Sequence, residues 1–110
     1  MDGNKTLDLA LKPIFFRAIR IGAKKTEYRD FTEYWGEKLI DVESYGGKEL
    51  RDVMEGVYCG ELEFKPRQYN RLLFHESGTQ RTMMVECLGI KYFRGHLGFA
   101  IQLGNIIKTV

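Results

Sequence analysis

The sequence predicts an α+β fold, a small curved β-barrel of about five strands with two to three flanking helices. Alternating apolar residues indicate strands near both ends of the chain and in its second half. Gly89 and Gly104 lie inside two of these stretches, where glycine favours the corners that a small barrel needs. With 110 residues, the chain is expected to form a single domain over residues 1–110.

The first third of the chain predicts a strand, a helix and a second strand. Residues 6–12 alternate apolar and polar side chains, as a half-buried strand does. Pro13 is placed to begin a helix, and Gly22 is placed to end it in the left-handed conformation. The helical spacing predicts a buried face and an exposed basic face: Ile14, Phe15, Ala18 and Ile19 inside, Arg17 and Arg20 outside.

The remaining elements follow from periodicity and turn residues. A short helix is predicted within residues 30–40, and a second helix over residues 48–58, whose apolar side chains recur at steps of three and four. Residues 69–75 and 79–92 are predicted to pair as a hairpin around a Ser-Gly turn. Residues 99–107 supply the last strand.

Charge is unevenly distributed along the chain. The formal charge is +5 over residues 12–29, −7 over residues 30–63 and +5 over residues 64–110. If the two basic segments share a face, that face attracts an anionic partner such as a nucleic acid. The acidic segment, residues 30–63, leaves a second hypothesis open, in which it is the working surface of a partner-binding adaptor.

Several classes of protein are disfavoured. No apolar run approaches the roughly 20 residues that cross a membrane, and the first residues lack the apolar core of a secretion signal, so a cytoplasmic protein without a membrane partner is expected. Cys59, His75, Cys87 and His96 fit no common zinc spacing, so we predict no metal and no cofactor. The sequence leaves the oligomeric state open.

One stretch, residues 22–29, concentrates charged side chains directly behind a helix-ending glycine. Alternation along a strand places Glu27 and Arg29 on one face. Lys24 has the opposite parity, but a turn at Gly22 would aim its ammonium towards the same cleft. The stretch therefore predicts a compact cluster of cation, anion and cation, which is either a structural salt bridge at a barrel edge or a binding site.

The spacing Gly-x-Lys-x-x-Glu-x-Arg after a helix that begins at proline resembles the ASCH (ASC-1 homology) family, a branch of the PUA-like folds. Residues 9–13 resemble the opening strand and helix start of that family, and residues 99–107 resemble its closing strand, whereas residues 31–65 match no pattern of it. The resemblance implies a PUA-like β-barrel that binds RNA or a nucleotide.

The three charged residues suit such a ligand. Arg29 offers a planar fork for phosphate or a base edge, and Lys24 offers a point charge for phosphate. Glu27 is an acceptor for exocyclic amino groups or ribose hydroxyls. We therefore predict that the three side chains bind the ligand together.

Further binding residues are predicted around this cluster. Tyr28, Tyr34 and Trp35 are candidates for stacking an unpaired base. Lys12, at the junction of the first strand and helix, lies where phosphate is often held. Arg81, at the start of the long hairpin strand, is predicted to border the same cleft if the hairpin tip folds over it.

The alternative is a hydrolase that acts on a modified nucleoside or on RNA through the same residues. The resemblance includes small ASCH amidohydrolases acting on acetylated cytidine, in which the lysine is kept and a catalytic threonine stands at the position of Glu27. A carboxylate stabilises the ammonium form of Lys24, which argues against copying that mechanism. A rearranged mechanism would use Glu27 as general base, with Lys24 and Arg29 stabilising an oxyanion.

Overall fold

A computed structural model describes residues 5–96 and 98–110 of the chain. Within these residues the chain forms five strands and three α-helices, in the order β1 Thr6–Leu11, α1 Pro13–Arg20, β2 Thr26–Asp30, α2 Glu33–Leu39, α3 Leu50–Cys59, β3 Arg71–Glu76, β4 Thr82–Phe93 and β5 Gly98–Thr109. The predicted fold class, α+β with a barrel-like sheet of about five strands and two to three helices, is confirmed. Among the described helices, none has the length and apolar character needed to span a bilayer.

The strands form one mixed sheet in the order β1-β3-β4-β5-β2. Strand β1 runs parallel to β3, with Leu9 opposite Phe74, and β3 runs antiparallel to β4. Thr82 and Val110 donate to each other's carbonyls at 2.9 Å, the reciprocal pattern of an antiparallel pair, so β4 and β5 are antiparallel as well.

The chain divides into two compact units. The first contains the described residues up to Glu27, together with Gln68–Gly89 and Ile101–Val110, and the second contains Tyr28–Arg67 and Ile90–Ala100. In the printed sequence, residues 1–27, 68–89 and 101–110 include nine basic and five acidic residues. Residues 28–67 and 90–100 include eight basic and ten acidic residues. The first unit is therefore the basic one. That residues 1–110 form a single domain stays a prediction.

The core of the first unit is built from β1, α1, β3 and β4. The predicted alternation of β1 is confirmed, because Leu7, Leu9 and Leu11 are buried. The predicted face of α1 is wrong in part. The helix buries Phe16 and Ile19, whereas Ile14 is 70% and Phe15 43% exposed. Phe15 and Phe16 are adjacent and lie about 100° apart around the helix axis, so the helical spacing alone permits either rotation against the sheet.

Helix α1 ends as predicted, at a left-handed glycine. Gly22 has φ +83°, and its N–H donates to the Ile19 carbonyl at 3.0 Å. The Ala23 N–H donates to the Ala18 carbonyl at 2.9 Å, and these two bonds together are the Schellman motif. The Lys24 N–H also donates to the Ala18 carbonyl, at 3.1 Å, so the chain leaves the helix in a fixed direction.

The second unit packs α2 against α3. Thr32 caps α2, because its Oγ1 accepts from the Trp35 N–H at 3.3 Å. Gly36 allows the close approach of α3, since a Cβ at this position would lie 2.7 Å from Met54 Sδ. The predicted apolar face of α3 is confirmed by the burial of Val53, Met54 and Val57.

Strand β4 changes its buried face at the predicted corner. Met83, Val85 and Cys87 are buried in alternation, then two residues pass before the next buried side chain, Ile90. Gly89, between them, has φ +141°, a conformation that side chains other than glycine rarely adopt. An extra residue of this kind is the mark of a bulge, which reverses the facing of the residues beyond it.

We predict that Gly22→Ala lowers the free energy of unfolding by about 1–2 kcal/mol, because alanine in the left-handed region is strained. A Cβ at Gly22 meets nothing within 4 Å, so the backbone strain alone is measured. Urea unfolding should show a lower midpoint at an unchanged slope. The control is Gly95→Ala, at an open position without positive φ, where a change within about 0.5 kcal/mol is expected. Equal effects of the two variants would contradict the prediction.

Candidate functional site

Two cavities lie on the basic unit and share the side chain of Arg20. The first has a volume of about 260 Å³, and we call it the arginine cavity. Its apolar wall is formed by Pro13, Ile14 and Phe16. Its charged lining consists of Arg17, Arg20, Glu76 and Arg81. The second, of about 240 Å³, we call the motif cavity, because it is lined by Gly22, Lys24 and Lys25 together with Ile19, Arg20, Ile21 and residues 103–106 of β5.

The arginine cavity brings together residues from distant parts of the sequence. Arg17 and Arg20 are three residues apart and therefore neighbours on the surface of α1. Arg81 follows the turn between β3 and β4, where its N–H donates to Thr79 Oγ1 at 3.1 Å and its carbonyl accepts from the Glu76 N–H at 3.0 Å. In the parallel pairing of β1 with β3, Leu11 lies opposite Glu76. The turn that follows Glu76 therefore lies beside the start of α1.

The charges of the arginine cavity are not neutralised by one another. The Glu76 carboxylate accepts from the Thr79 hydroxyl at 2.8 Å. Within residues 5–96 and 98–110, the guanidinium groups of Arg17, Arg20 and Arg81 form no hydrogen bond or ion pair. Three arginines and one carboxylate line this cavity, and the excess of positive charge suits an external anion.

The motif cavity is positioned by the end of α1 and by β5. The Lys25 carbonyl accepts from the Leu103 N–H at 3.0 Å, which fixes the start of β2 against β5. The side chain of Glu86, on β4, passes over Gly104 of β5. A Cβ added at Gly104 would lie 2.7 Å from Glu86 Oε1. The same oxygen accepts from the Asn105 N–H at 2.9 Å. Gly104 is therefore required by a side chain that passes over it.

Lys24 and Glu27, predicted to lie together, are in contact. Lys24 Nζ is 3.4 Å from Glu27 Oε1 and 5.3 Å from the centre of the Phe15 ring. Glu27 is 4% exposed, and among the described residues it is the one charged side chain that is fully buried. Because a buried carboxylate is costly unless it is paired, the ammonium of Lys24 stabilises the local fold as well as facing the motif cavity.

Arg29 lies in the second unit, two residues along β2 from Glu27. Its guanidinium carbon is 5.0 Å from the centre of the Trp35 ring, a cation–π arrangement. Tyr34 meets Trp35 edge to face at 5.0 Å, and Lys38 Nζ is 4.8 Å from the Tyr34 ring. Arg29 therefore takes part in a row of cations and aromatic rings within this unit.

The other predicted residues fall at separate places. Tyr28 and Tyr34 are exposed and remain accessible for stacking, whereas Trp35 is partly buried beside Arg29. Lys12 precedes α1 at the predicted junction and is exposed, but it lines neither cavity. Arg81 was predicted to border the cleft of the motif; it lines the arginine cavity instead, because the hairpin turn lies beside the start of α1.

Arg17 and Arg20, which were predicted only to lie on an exposed helix face, line the arginine cavity. Their spacing of three within the segment of charge +5 was the available signal. No sequence signal marked Glu76 or Asn105 as lining residues, because pairing between distant strands brings them to the cavities. Among the side chains that are described, no group of three or more histidine, cysteine, aspartate or glutamate residues is placed to hold a metal ion.

The site offers charge and hydrogen bonding but no activated nucleophile. Burial raises the pKa of the Cys87 thiol, and the Gly89 backbone hydrogen bond lowers it by less, so this thiol stays protonated at neutral pH. Lys24 Nζ is in contact with the Glu27 carboxylate. The linings of the two cavities therefore concentrate positive charge and hydrogen-bonding groups.

Compared with known proteins, the chain matches no protein-family model, no curated protein and no solved structure at a significant level. The ASCH resemblance rests on the residues quoted from the sequence and stays a prediction.

We predict that Lys24 and Glu27 are energetically coupled by about 1–3 kcal/mol, because the carboxylate is removed from water. A double-mutant cycle with Lys24→Met and Glu27→Gln, followed by urea unfolding, measures this coupling. The control cycle, Arg51→Met with Glu33→Gln, removes a pair at 3.7 Å whose side chains are 81% and 64% exposed. It should give less than about 0.5 kcal/mol. Similar coupling energies in the two cycles would show that burial adds nothing to the Lys24–Glu27 pair.

Proposed function

We propose that this protein binds single-stranded RNA or a nucleotide through the two adjoining cavities on its basic unit. The observation that carries the proposal is the convergence of five cations, Arg17, Arg20, Lys24, Lys25 and Arg81, on cavities that share Arg20. Two carboxylates, Glu27 and Glu76, accompany them, so the surface keeps an excess of positive charge.

Electrostatics favours a polyanion as the ligand. Of the five cations, Lys24 is held by a protein carboxylate, whereas the three arginines have no anionic partner within the described residues. Lysine and arginine that neutralise phosphates release condensed counterions, which makes such binding favourable and dependent on salt. The positive formal charge of the unit adds a long-range attraction for the same ligand.

The lining also provides groups that could contact a base or a ribose. Asn105 lies in the motif cavity, and an asparagine amide offers both a donor and an acceptor to a base edge. Ile14 and Ile21 are exposed beside the cavities and supply apolar surface. Unpaired bases expose both their faces and their edges, so a single strand fits this combination better than a duplex. The resemblance to the ASCH family agrees with this proposal.

The hydrolase alternative receives less support from the geometry. A general base must reach the water that it activates, but Glu27 is 4% exposed and contacts Lys24. A nucleophilic lysine must lose its proton, which the neighbouring carboxylate opposes. Binding without turnover is therefore the function that we propose.

We predict that Arg20→Ala weakens the binding of a short, fluorescently labelled single-stranded RNA several-fold at about 0.1 M salt. Arg20 faces both cavities, so its loss should also reduce the slope of log K against log salt concentration by about one. Fluorescence anisotropy at several salt concentrations measures both quantities. The matched control is Arg51→Ala, on an exposed face of α3 in the other unit, which should bind as the unchanged protein does.

Two results would contradict the proposal. One is the absence of binding at the lowest salt concentration, and the other is an equal affinity of Arg20→Ala and Arg51→Ala. The RNA from each sample is also resolved on a denaturing gel. Cleavage that is lost in Lys24→Ala would favour the hydrolase.

A further inference from the structure

The arginine cavity differs from the motif cavity in its cations, which are all arginines and come from both α1 and the hairpin turn. Its volume of about 260 Å³ lies just below the range of roughly 300–1,000 Å³ that holds drug-sized ligands. Such a space accommodates one small group of a larger ligand. Three guanidinium groups and one carboxylate line it, which gives a formal charge of +2. A cavity this small with two net positive charges favours a compact ligand of the opposite charge.

The backbone positions of the charged residues are fixed by α1 and by the hairpin turn. Arg17 and Arg20 project from one face of α1, and Arg81 is fixed by two backbone hydrogen bonds of the hairpin turn. Glu76 is oriented by the Thr79 hydroxyl at 2.8 Å. Arginine presents paired N–H donors that match phosphate oxygens.

Charge distinguishes the two forms in which phosphate occurs in RNA. A phosphodiester carries one negative charge, whereas a phosphate monoester carries about −1.5 to −2 at neutral pH and three strong acceptor oxygens. The monoester matches the formal charge of +2, and its three terminal oxygens provide acceptors for donors arriving from α1 and from the hairpin turn. It occurs only at the end of a strand or on a free nucleotide.

We infer that the arginine cavity binds the terminal phosphate of an RNA strand or nucleotide, while the motif cavity takes the adjoining nucleotide. This inference rests on the proposed function. Arg20 lines both cavities and connects the two subsites, so a ligand whose phosphate is held by Arg17, Arg20 and Arg81 continues towards Lys24 and Lys25. The protein thereby selects strand ends that carry a phosphate.

The test compares single-stranded RNAs of one sequence that carry a 5′-phosphate, a 3′-phosphate or hydroxyl groups at both ends. A hydroxyl-ended RNA one nucleotide longer controls for the added charge. We expect one of the two phosphorylated RNAs to bind about tenfold more tightly than both hydroxyl-ended RNAs, since charge-assisted hydrogen bonds are gained. A nucleoside monophosphate and inorganic phosphate are then used as competitors, to separate recognition of a nucleotide from recognition of phosphate alone.

The variant that locates the site is Arg81→Ala, because Arg81 lines the arginine cavity and not the motif cavity. It should lose the tenfold preference, and its affinity for hydroxyl-ended RNA should fall only as far as the loss of one cation requires, with a salt slope lower by about one. Arg51→Ala should keep both the preference and the affinity. Arg81 is exposed and its hairpin contacts are made by the backbone, so the variant should fold, which its melting temperature checks.

The outcomes separate the two proposals. Equal affinity for phosphorylated and hydroxyl-ended RNA overturns the terminal-phosphate site and leaves RNA binding in place. A preference that survives in Arg81→Ala also overturns the site, because the phosphate is then held elsewhere. Failure to bind any of the RNAs overturns the proposed function and, with it, this inference.

Discussion

The arrangement of the basic unit depends on how α1 ends. The carbonyl of Ala18 accepts from the N–H groups of both Ala23 and Lys24, at 2.9 and 3.1 Å, around a glycine with φ +83°. A helix that continued for another turn would carry Lys24 away from Glu27, and a frayed helix would leave Arg20 without a fixed direction. Because the left-handed turn is stable only with glycine or a few polar residues, one backbone position controls the placement of both cavities.

The burial of Glu27 constrains the chemistry of the site. A carboxylate that is 4% exposed is tolerated because the Lys24 ammonium, 3.4 Å away, compensates for part of the lost hydration. The same contact positions the Lys24 ammonium, and Lys24 also lines the motif cavity. An ion pair of this kind serves recognition of an anion better than proton transfer, which requires a group whose charge changes during the reaction.

Local rules predicted much of the fold, and non-local pairing determined the site. The alternation of β1, the capped end of α1, the apolar face of α3 and the corner at Gly89 depend on neighbouring residues, and each was predicted from them. The rotation of α1 was not, because adjacent Phe15 and Phe16 offer two apolar faces and packing against the sheet selects one. The cavity that joins Arg81 to Arg17 needs the parallel pairing of β1 with β3, which no local pattern reveals.

That pairing also explains why the arginines remain available to an anion. Ser77 donates to the Leu11 carbonyl at 2.8 Å, which ties the hairpin turn to the chain just before α1. The turn satisfies its own carboxylate internally, since Glu76 accepts from Thr79, and the three arginines therefore line the cavity without an ion-pair partner among the described residues. Like charges that line one cavity repel each other, to an extent that solvent screening reduces for exposed side chains. An anion bound between them removes the repulsion, so its binding should also stabilise the basic unit.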